Sequence, residues 1–442
     1  MASTSLSSQA DFLVTFQSSL KKIPIYLSVF VFLGLVIISL FLPSRLGPTP
    51  HNWFAEYAQA LTEGKLYLGE ATQWRGCKWD QSFFEGKCYL YFGIVPALFH
   101  LAFPFITNRF FSILMTTIFV FFFSKTILKL SKLKPKDSID WLLTSFLLLT
   151  AVFATSFVSL ALSSRVYDET ICFSHAFGMA GIYFALPLLR LDEENLSLRG
   201  IICSTLMFIL ASLTRFTWFG PFGLFCIFVF FSKKKLLSGV PFLGLGFALC
   251  FQGWLNWVRF RDPREMGMSF QSFAFSYQEK GRDTSLNTFS EALKMTVSYY
   301  FLRFFPEGSI AIKKTHGFLQ DFFLKDAAIL FESPHTLSLS LPAVFFPLAD
   351  FRDWWRYLKT VWGPLVLASP LVVAGLLIPA VVHRYQFEVS APFIMASLPY
   401  LISHSAKMGL KTFKWVMVSC LFGIGFSIFC TWEIIARFWN VM

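Results

Sequence analysis

Long apolar runs, separated by short polar stretches, recur along the whole chain. Most of these runs approach the length of about 20 residues with which a helix crosses a bilayer. The runs that we interpret as membrane spans are 25–42, 110–128, 141–162, 171–189, 200–214, 216–232, 236–255, 337–349, 360–382, 389–403 and 413–435. The pattern therefore predicts an all-α, polytopic integral membrane protein with about 11 transmembrane helices.

The apolar segment 89–106 is not counted among these spans. The next run is followed by the lysine-rich loop 129–136, and such loops face the cytoplasm. If 89–106 crossed the membrane, this loop would lie outside. The sequence therefore predicts that the segment, which contains Gly93, Pro96 and Pro104, dips into the outer face of the membrane as a broken helix.

The charges of the loops orient the chain and divide it into regions. Lys21 and Lys22 precede the first run, so we expect a cytoplasmic N-terminus and, after an odd number of spans, an external C-terminus. The predicted regions are a cytoplasmic N-terminal segment 1–24, a transmembrane module 25–255 with a first external loop 43–107, an external loop 256–336, and C-terminal transmembrane helices 337–442. An interfacial helix is expected at about 287–305.

Composition and charge agree with this interpretation. The chain is 55% hydrophobic and 14% charged, whereas an average soluble domain is about 25% charged. The formal net charge of +12 comes mostly from short loops between apolar runs, where it signals topology rather than a nucleic-acid partner. We therefore expect the lipid bilayer of the cytoplasmic membrane as the surroundings of this protein and no nucleic acid as a ligand.

Charged residues collect on the external side of this map. They include carboxylates in the first external loop and in a short turn before 171–189, and arginines at the ends of spans. Ionisable groups at membrane depth cost about 2.5–3.5 kcal/mol on insertion scales, so they are candidates for function. The residues that we select are Glu56, Asp80, Asp168, Glu169, Arg215, Arg259, Arg384 and Tyr385. The alternatives are solvated turns for the carboxylates and interfacial side chains for the arginines.

Two cysteines stand in a polar stretch, while the others fall in apolar runs. Cys77 and Cys88 flank Asp80, and a disulfide between them would close a loop of about a dozen residues. In an oxidising compartment this bond would hold Asp80 in place. The alternative for Asp80 is a turn residue that caps the next helix.

Several motifs follow one another in an order that resembles a known superfamily. They are NWFAEYAQALTEGKLYL after the first span, the dipping segment YLYFGIVPALFHLAFPF, the pair Asp168-Glu169, LASLTRF between two short runs, and Arg384-Tyr385 before a proline-containing run. This order, over about 50–400, resembles the GT-C superfamily of membrane glycosyltransferases, which includes oligosaccharyltransferases. The wording DQSFFEGKCYLYFGIVPALF and NWVRFRDPREMGMSFQ is most similar to that of uncharacterised bacterial members.

The resemblance implies transfer of a sugar, or a related polar group, from a polyprenyl-phosphate carrier to an acceptor at the outer face of the cytoplasmic membrane. A carboxylate would activate the acceptor, first of all Asp80 and otherwise Glu56 or Asp168. Asp168 and Glu169 would bind a divalent metal, Mg or Mn. The residues expected to contact the lipid-linked donor and its phosphate are Arg215, Arg384, Arg259 and Tyr385.

One departure from the superfamily pattern keeps other functions open. The superfamily has an acidic residue at the start of the helix after the first span, where this chain has Asn52. A catalytically degenerate protein that binds lipid carriers or acts as an envelope scaffold is therefore the alternative. A transporter is a weaker alternative, because the carboxylates fall in external loops rather than at the middle of spans.

A cysteine at position 134 tests the membrane map. In intact cells, Lys134→Cys should react with a membrane-permeant maleimide and not with an impermeant one, because its loop is expected to face the cytoplasm. Labelling is measured as the increase over the parent protein. Lys65→Cys, in the first external loop, is the matched control and should react with both reagents. Labelling of position 134 by the impermeant reagent would contradict the map.

Overall fold

A computed structural model gives the fold. It describes residues 22–40, 52–78, 81–131, 138–154, 160–162, 166–189, 197–232, 235–267, 270–271, 362–371, 394–395, 398–400, 402, 418 and 421. The main helices are α1 Lys22–Leu40, α2 Trp53–Thr62, α3 Val95–Ala102, α4 Asn108–Ser131, α5 Ser138–Ala154, α6 Val166–Leu189, α7 Leu198–Thr214, α8 Phe219–Phe231, α9 Gly239–Phe260 and α10 Trp362–Leu371.

The described helices support a membrane protein. Among them, α1, α4, α6 and α9 are long and apolar enough to cross a membrane, and α7, α8 and α10 are shorter apolar helices. Each of these seven coincides with a predicted span. The total of about 11 spans remains a prediction, because 337–349 lies outside the described residues and 389–403 and 413–435 lie largely outside them. The expected interfacial helix at 287–305 also lies outside.

The first external loop contains a small antiparallel sheet, which the all-α prediction missed. Its strands are β1 Gly69–Glu70, β2 Ser82–Phe84 and β3 Lys87–Tyr89, in the order β1-β3-β2. Glu85 and Gly86 connect β2 to β3 with positive φ angles of 46° and 76°, as a two-residue type I′ hairpin requires. The fold is therefore mostly helical with one three-stranded sheet in the described part.

A disulfide closes this hairpin region. The sulfurs of Cys77 and Cys88 are bonded, and their Cα atoms lie 5.4 Å apart. Cys88 lies on the central strand, opposite Gly69 on one side and Phe83 on the other. The bond therefore ties Cys77 to the middle of the sheet.

The sheet is also attached to the chain that follows α9. The Ser82 hydroxyl donates to the Gly267 carbonyl at 2.7 Å, and Ser82 forms an isolated β-bridge with Gln271. The Phe84 ring lies 6.0 Å from that of Phe260, at the end of α9. Through these contacts the sheet and the start of the chain after α9 form one packed unit, which we call the external unit after its predicted location.

The re-entrant segment, residues 89–106, does not form a continuous spanning helix. Its only helix is α3, which has 8 residues and is therefore about 12 Å long, less than half the thickness of the hydrocarbon core. Before α3, Gly93 meets the end of α7: a Cβ at this position would lie 2.0 Å from the Leu213 carbonyl oxygen and 2.5 Å from that of Thr214. This shape agrees with the predicted broken helix.

Helix α6 lies at the centre of the described helices, packed between α4 and α7. Glycines allow close packing on the α7 side, because a Cβ at Gly178 would lie 2.0 Å from the ring of Trp218, just after α7. Helix α10 runs antiparallel to α6. Gly363, in the first turn of α10, lies against Leu189 at the end of α6. Pro370, near the other end of α10, contacts Gly220 at the start of α8.

Gly93→Ala should destabilise the protein by about 1–3 kcal/mol, because the added methyl group overlaps backbone carbonyls that have little room to move. The measurement is the apparent Tm of the purified protein in detergent, determined by fluorescence-detected size exclusion. Gly223→Ala is the matched control, since no atom lies within 4 Å of its new Cβ. Equal Tm values for the two variants would show that the close contact is absent.

Removing the disulfide should lower the stability of the external unit by about 3 kcal/mol, on the chain-entropy model for a loop of this length. The double variant Cys77→Ser/Cys88→Ser should therefore be cleaved faster by limited proteolysis within the first external loop. Cys250→Ser, which replaces an exposed free thiol, is the control and should resemble the parent. Unchanged cleavage of the double variant would refute the stabilising role.

Candidate functional site

Asp168 and Glu169 lie inside a helix rather than in the predicted external turn. Helix α6 begins at Val166, so both carboxylates belong to its first turn. Acidic residues are favourable there, because the unpaired N–H groups of a helix start attract negative charge. Both side chains are buried, with 1% and 0% of their surface exposed, so the alternative of a solvated turn is wrong.

Glu169 pairs with a histidine of the re-entrant segment. His100 Nε2 lies 2.8 Å from Glu169 Oε1, and both side chains are buried. The imidazole also contacts the Phe111 ring edge-to-face, at 4.7 Å between centroids. Sequence reasoning missed His100, although a lone ionisable residue on an apolar helix is a usable signal. Its partner is distant in sequence, so only the fold reveals the pair.

The two carboxylates leave α6 in different directions, because successive residues of a helix are rotated by about 100°. The re-entrant segment packs on Phe173 and Phe177 through Phe99, whose ring centroid lies 5.1 and 5.9 Å from theirs. These two positions lie about 140° and 180° around the helix from Asp168. Asp168 therefore projects from the side of α6 that faces away from the re-entrant segment.

Asp168 shares its helix face with His175. The two residues are seven positions apart, so they project within about 20° of each other. The His175 ring lies 5.3 Å from that of Trp218, edge-to-face, and Arg215 is near enough to interact with it electrostatically. We call this set, Asp168, His175, Arg215 and Trp218, the Asp168 face.

The turn between α7 and α8 supplies the donors of the Asp168 face. Arg215 is the C-cap of α7, where the break between two short helices was predicted, and it is half-buried. The next residues form a single 3₁₀ turn. Thr217 Oγ1 and Trp218 Nε1 are buried and have no hydrogen-bond partner in the described part of the chain. A buried donor without a partner is unusual, so these two atoms are candidates for a contact with a polar group.

Arg259 does not belong to this face. Its guanidinium is 1% exposed, and it donates to the Tyr57 hydroxyl at 2.5 Å and to the Leu90 carbonyl at 3.4 Å. The side chain therefore joins the end of α9 to the first external loop. A contact with a lipid phosphate, as expected from the sequence, is not supported by this burial.

The structure describes only some of the remaining predicted residues. Asn52 caps α2, where its Oδ1 accepts a hydrogen bond from the Ala55 N–H at 3.0 Å. Glu56 lies in the first turn of α2 and is half-buried. The other three candidates, Asp80, Arg384 and Tyr385, lie outside the described residues.

The described residues do not by themselves fit a Mg or Mn site. Such ions take about six oxygen ligands, several of them from carboxylates or water. Glu169 is engaged by His100, and Asp168 leaves the helix about 100° away from it. Within the described ranges, no group of three or more His, Cys, Asp or Glu side chains is arranged to hold a metal.

Tyr89 and Asp262, which lie outside the spans, have shifted pKa values. Burial raises the pKa of Tyr89, and the nearby Glu85 adds to this effect, so the hydroxyl stays neutral at physiological pH. The Arg264 N–H lowers the pKa of Asp262. The stabilisation from Asp262 is therefore present at neutral pH and is lost as pH falls through its lowered pKa. Both groups belong to the external unit around the sheet.

Comparisons with known proteins support the fold. No protein-family model matches the chain, and no curated protein sequence matches it. Among solved structures, the crystal structure of the Archaeoglobus fulgidus oligosaccharyltransferase in the apo form is similar, with a TM-score of 0.54 and 10% sequence identity. The match covers 95% of this chain and 56% of that one, so the chain spans about half the length of its structural relative. The likeness supports the GT-C resemblance at the level of the fold.

Proposed function

We propose that the protein is a membrane glycosyltransferase of GT-C type. It transfers a sugar, or a related polar group, from a polyprenyl-phosphate carrier to an acceptor. The reaction takes place at the outer face of the cytoplasmic membrane, because the carrier's lipid chain stays in the bilayer while its polar head reaches the external side. In this topology the N-terminus is cytoplasmic and the C-terminus is extracytoplasmic.

The observation that carries the proposal is the composition of the Asp168 face. A buried carboxylate and an imidazole lie on one face of the N-terminal half of α6, and a guanidinium lies in the turn between α7 and α8. Burying ionisable groups at membrane depth is unfavourable, so their retention is best explained by function. The fold similarity to an oligosaccharyltransferase is the second support, since it makes a transferase the natural class for such a site.

The proposed chemistry divides between a general base and several hydrogen-bond donors. Asp168 accepts the proton of the acceptor nucleophile as that nucleophile bonds to the sugar carbon. The bond between this carbon and the carrier phosphate oxygen breaks, and negative charge collects on the phosphate. Arg215 stabilises that charge, because a guanidinium binds phosphate oxygens in bidentate geometry. Thr217 Oγ1 and Trp218 Nε1 add neutral donors beside it.

Other residues keep secondary roles in the proposal. Asp80, three positions after Cys77 in the sequence, is the alternative base. Arg384 and Tyr385 are further contacts for the carrier phosphate. A divalent metal, Mg or Mn, would add charge stabilisation at the carrier phosphate, and the steps above rest on the side chains alone.

The second candidate function is a protein that binds lipid carriers without catalysis and serves as an envelope scaffold. Asn52 favours it. Its amide oxygen is used to cap α2, and it replaces the acidic residue that the superfamily pattern has at this place. In this case the Asp168 face binds the carrier head and performs no chemistry.

Asp168→Asn tests the catalytic role. In cells that express only this variant, the glycan acceptor should lose its modification by at least about 100-fold, and the lipid-linked donor should accumulate, because a general base contributes 10²–10⁴-fold to such reactions. The measurements are mass spectrometry of lipid-linked sugars and of surface glycans. Protein levels are followed on immunoblots.

Asp262→Asn is the matched control, since it makes the same chemical change at a surface turn outside the Asp168 face. It should leave both profiles at the parental level. If Asp168→Asn also leaves them unchanged at normal protein levels, the catalytic proposal is wrong. Retained binding of the carrier in that variant would then support the scaffold.

A further inference from the structure

The first turn of α6 depends on side chains for its orientation. The first four N–H groups of a helix have no acceptor within the helix, so this turn is held less firmly than the next ones. It is also the turn that carries Asp168. The direction in which Asp168 projects therefore depends on the contacts made by its two neighbours, Tyr167 and Glu169.

The first of these contacts is at Tyr167. Its hydroxyl is hydrogen-bonded to that of Tyr91, in the re-entrant segment. Its ring also packs edge-to-face on Phe92, with 4.6 Å between centroids. The residue before Asp168 is thus attached to the first part of the re-entrant segment.

The second contact is at Glu169, whose Oε1 lies 2.8 Å from His100 Nε2. Positions 167 and 169 lie about 200° apart around α6, that is, on nearly opposite sides. Their partners, Tyr91 and His100, belong to the same short segment of chain. The re-entrant segment therefore wraps around the start of α6 and holds the turn from two sides.

The support itself is firmly placed. Gly93 lies against the Leu213 and Thr214 carbonyls at the end of α7, and Cys88 is joined to Cys77 just before the segment. The same end of α7 leads directly into Arg215. The segment thus links the turn that carries Asp168 to the turn that carries Arg215.

We propose that His100 is a positioning residue: by holding Glu169, it fixes the first turn of α6 and with it the direction of Asp168. Its relevance to activity rests on the proposed function, while the positioning itself does not. The proposal gives Glu169 the role of His100's partner in place of the metal-ligand role expected from the sequence. Glu169→Gln and His100→Gln should therefore be tolerated if the new side chain keeps the hydrogen bond between positions 100 and 169.

Amide hydrogen exchange tests the positioning. The full-length protein is purified in lipid nanodiscs, and exchange is followed by mass spectrometry in peptides that cover 166–172 and, as an internal reference, 183–189. In His100→Leu, exchange in 166–172 should rise by about tenfold, as expected when a buried side-chain hydrogen bond is lost. Exchange in 183–189 should not change.

Two rescue variants distinguish positioning from general destabilisation. His100→Gln retains a donor near the place of Nε2, and the double variant His100→Glu/Glu169→His exchanges the two partners. Restored protection of 166–172 in either variant supports the proposal. Unchanged exchange in His100→Leu, an equal rise in 183–189, or failure of both rescue variants would overturn it.

A cellular measurement separates this inference from the proposed function. The surface glycan profile is recorded for His100→Leu, for the exchanged double variant and for Asp168→Asn. The expected results are about a tenfold loss, recovery, and complete loss, respectively. If Asp168→Asn has no effect, the proposed function fails and hydrogen exchange alone decides the positioning. If only His100→Leu has no effect, the role of His100 in the reaction is wrong and the function stands.

Discussion

The backbone contact at Gly93 is the constraint on which the candidate site depends. The re-entrant segment meets the end of α7 with no side chain in between, since a Cβ on Gly93 would lie 2.0 Å from the Leu213 carbonyl oxygen. This contact places the short helix α3 over the start of α6, where His100 reaches Glu169. It also brings the segment beside Arg215, so the two turns of the candidate site depend on one close approach.

The neighbouring acids Asp168 and Glu169 illustrate how a helix separates two buried charges. Two carboxylates that share one site repel each other and cannot both remain ionised. The rotation of about 100° between successive residues sends them to different neighbours. Glu169 meets an imidazole from the re-entrant segment, and Asp168 lies on the face of His175. The two acids thereby contact different elements of the fold.

The sequence predicted those features that depend on local pattern. Apolar runs predicted the helices α1, α4, α6 and α9. Two short runs predicted the break at Arg215. Gly93 and the prolines, together with the lysine-rich loop, predicted that the segment with α3 is broken. The sheet was missed because its strands have only two or three residues. The His100–Glu169 pair and the burial of Arg259 were missed because their partners are distant in sequence. Such contacts arise from packing, which a single sequence does not display.

The attachment of Ser82 to Gly267 and Gln271 has a consequence for biogenesis. The strand is synthesised long before its partner, and α4 to α9 are made in between. The sheet edge at β2 can therefore be covered only after these helices have been made. The Cys77–Cys88 bond does not need this later chain, because both cysteines precede α4, and it ties Cys77 to the central strand before the partner of Ser82 exists.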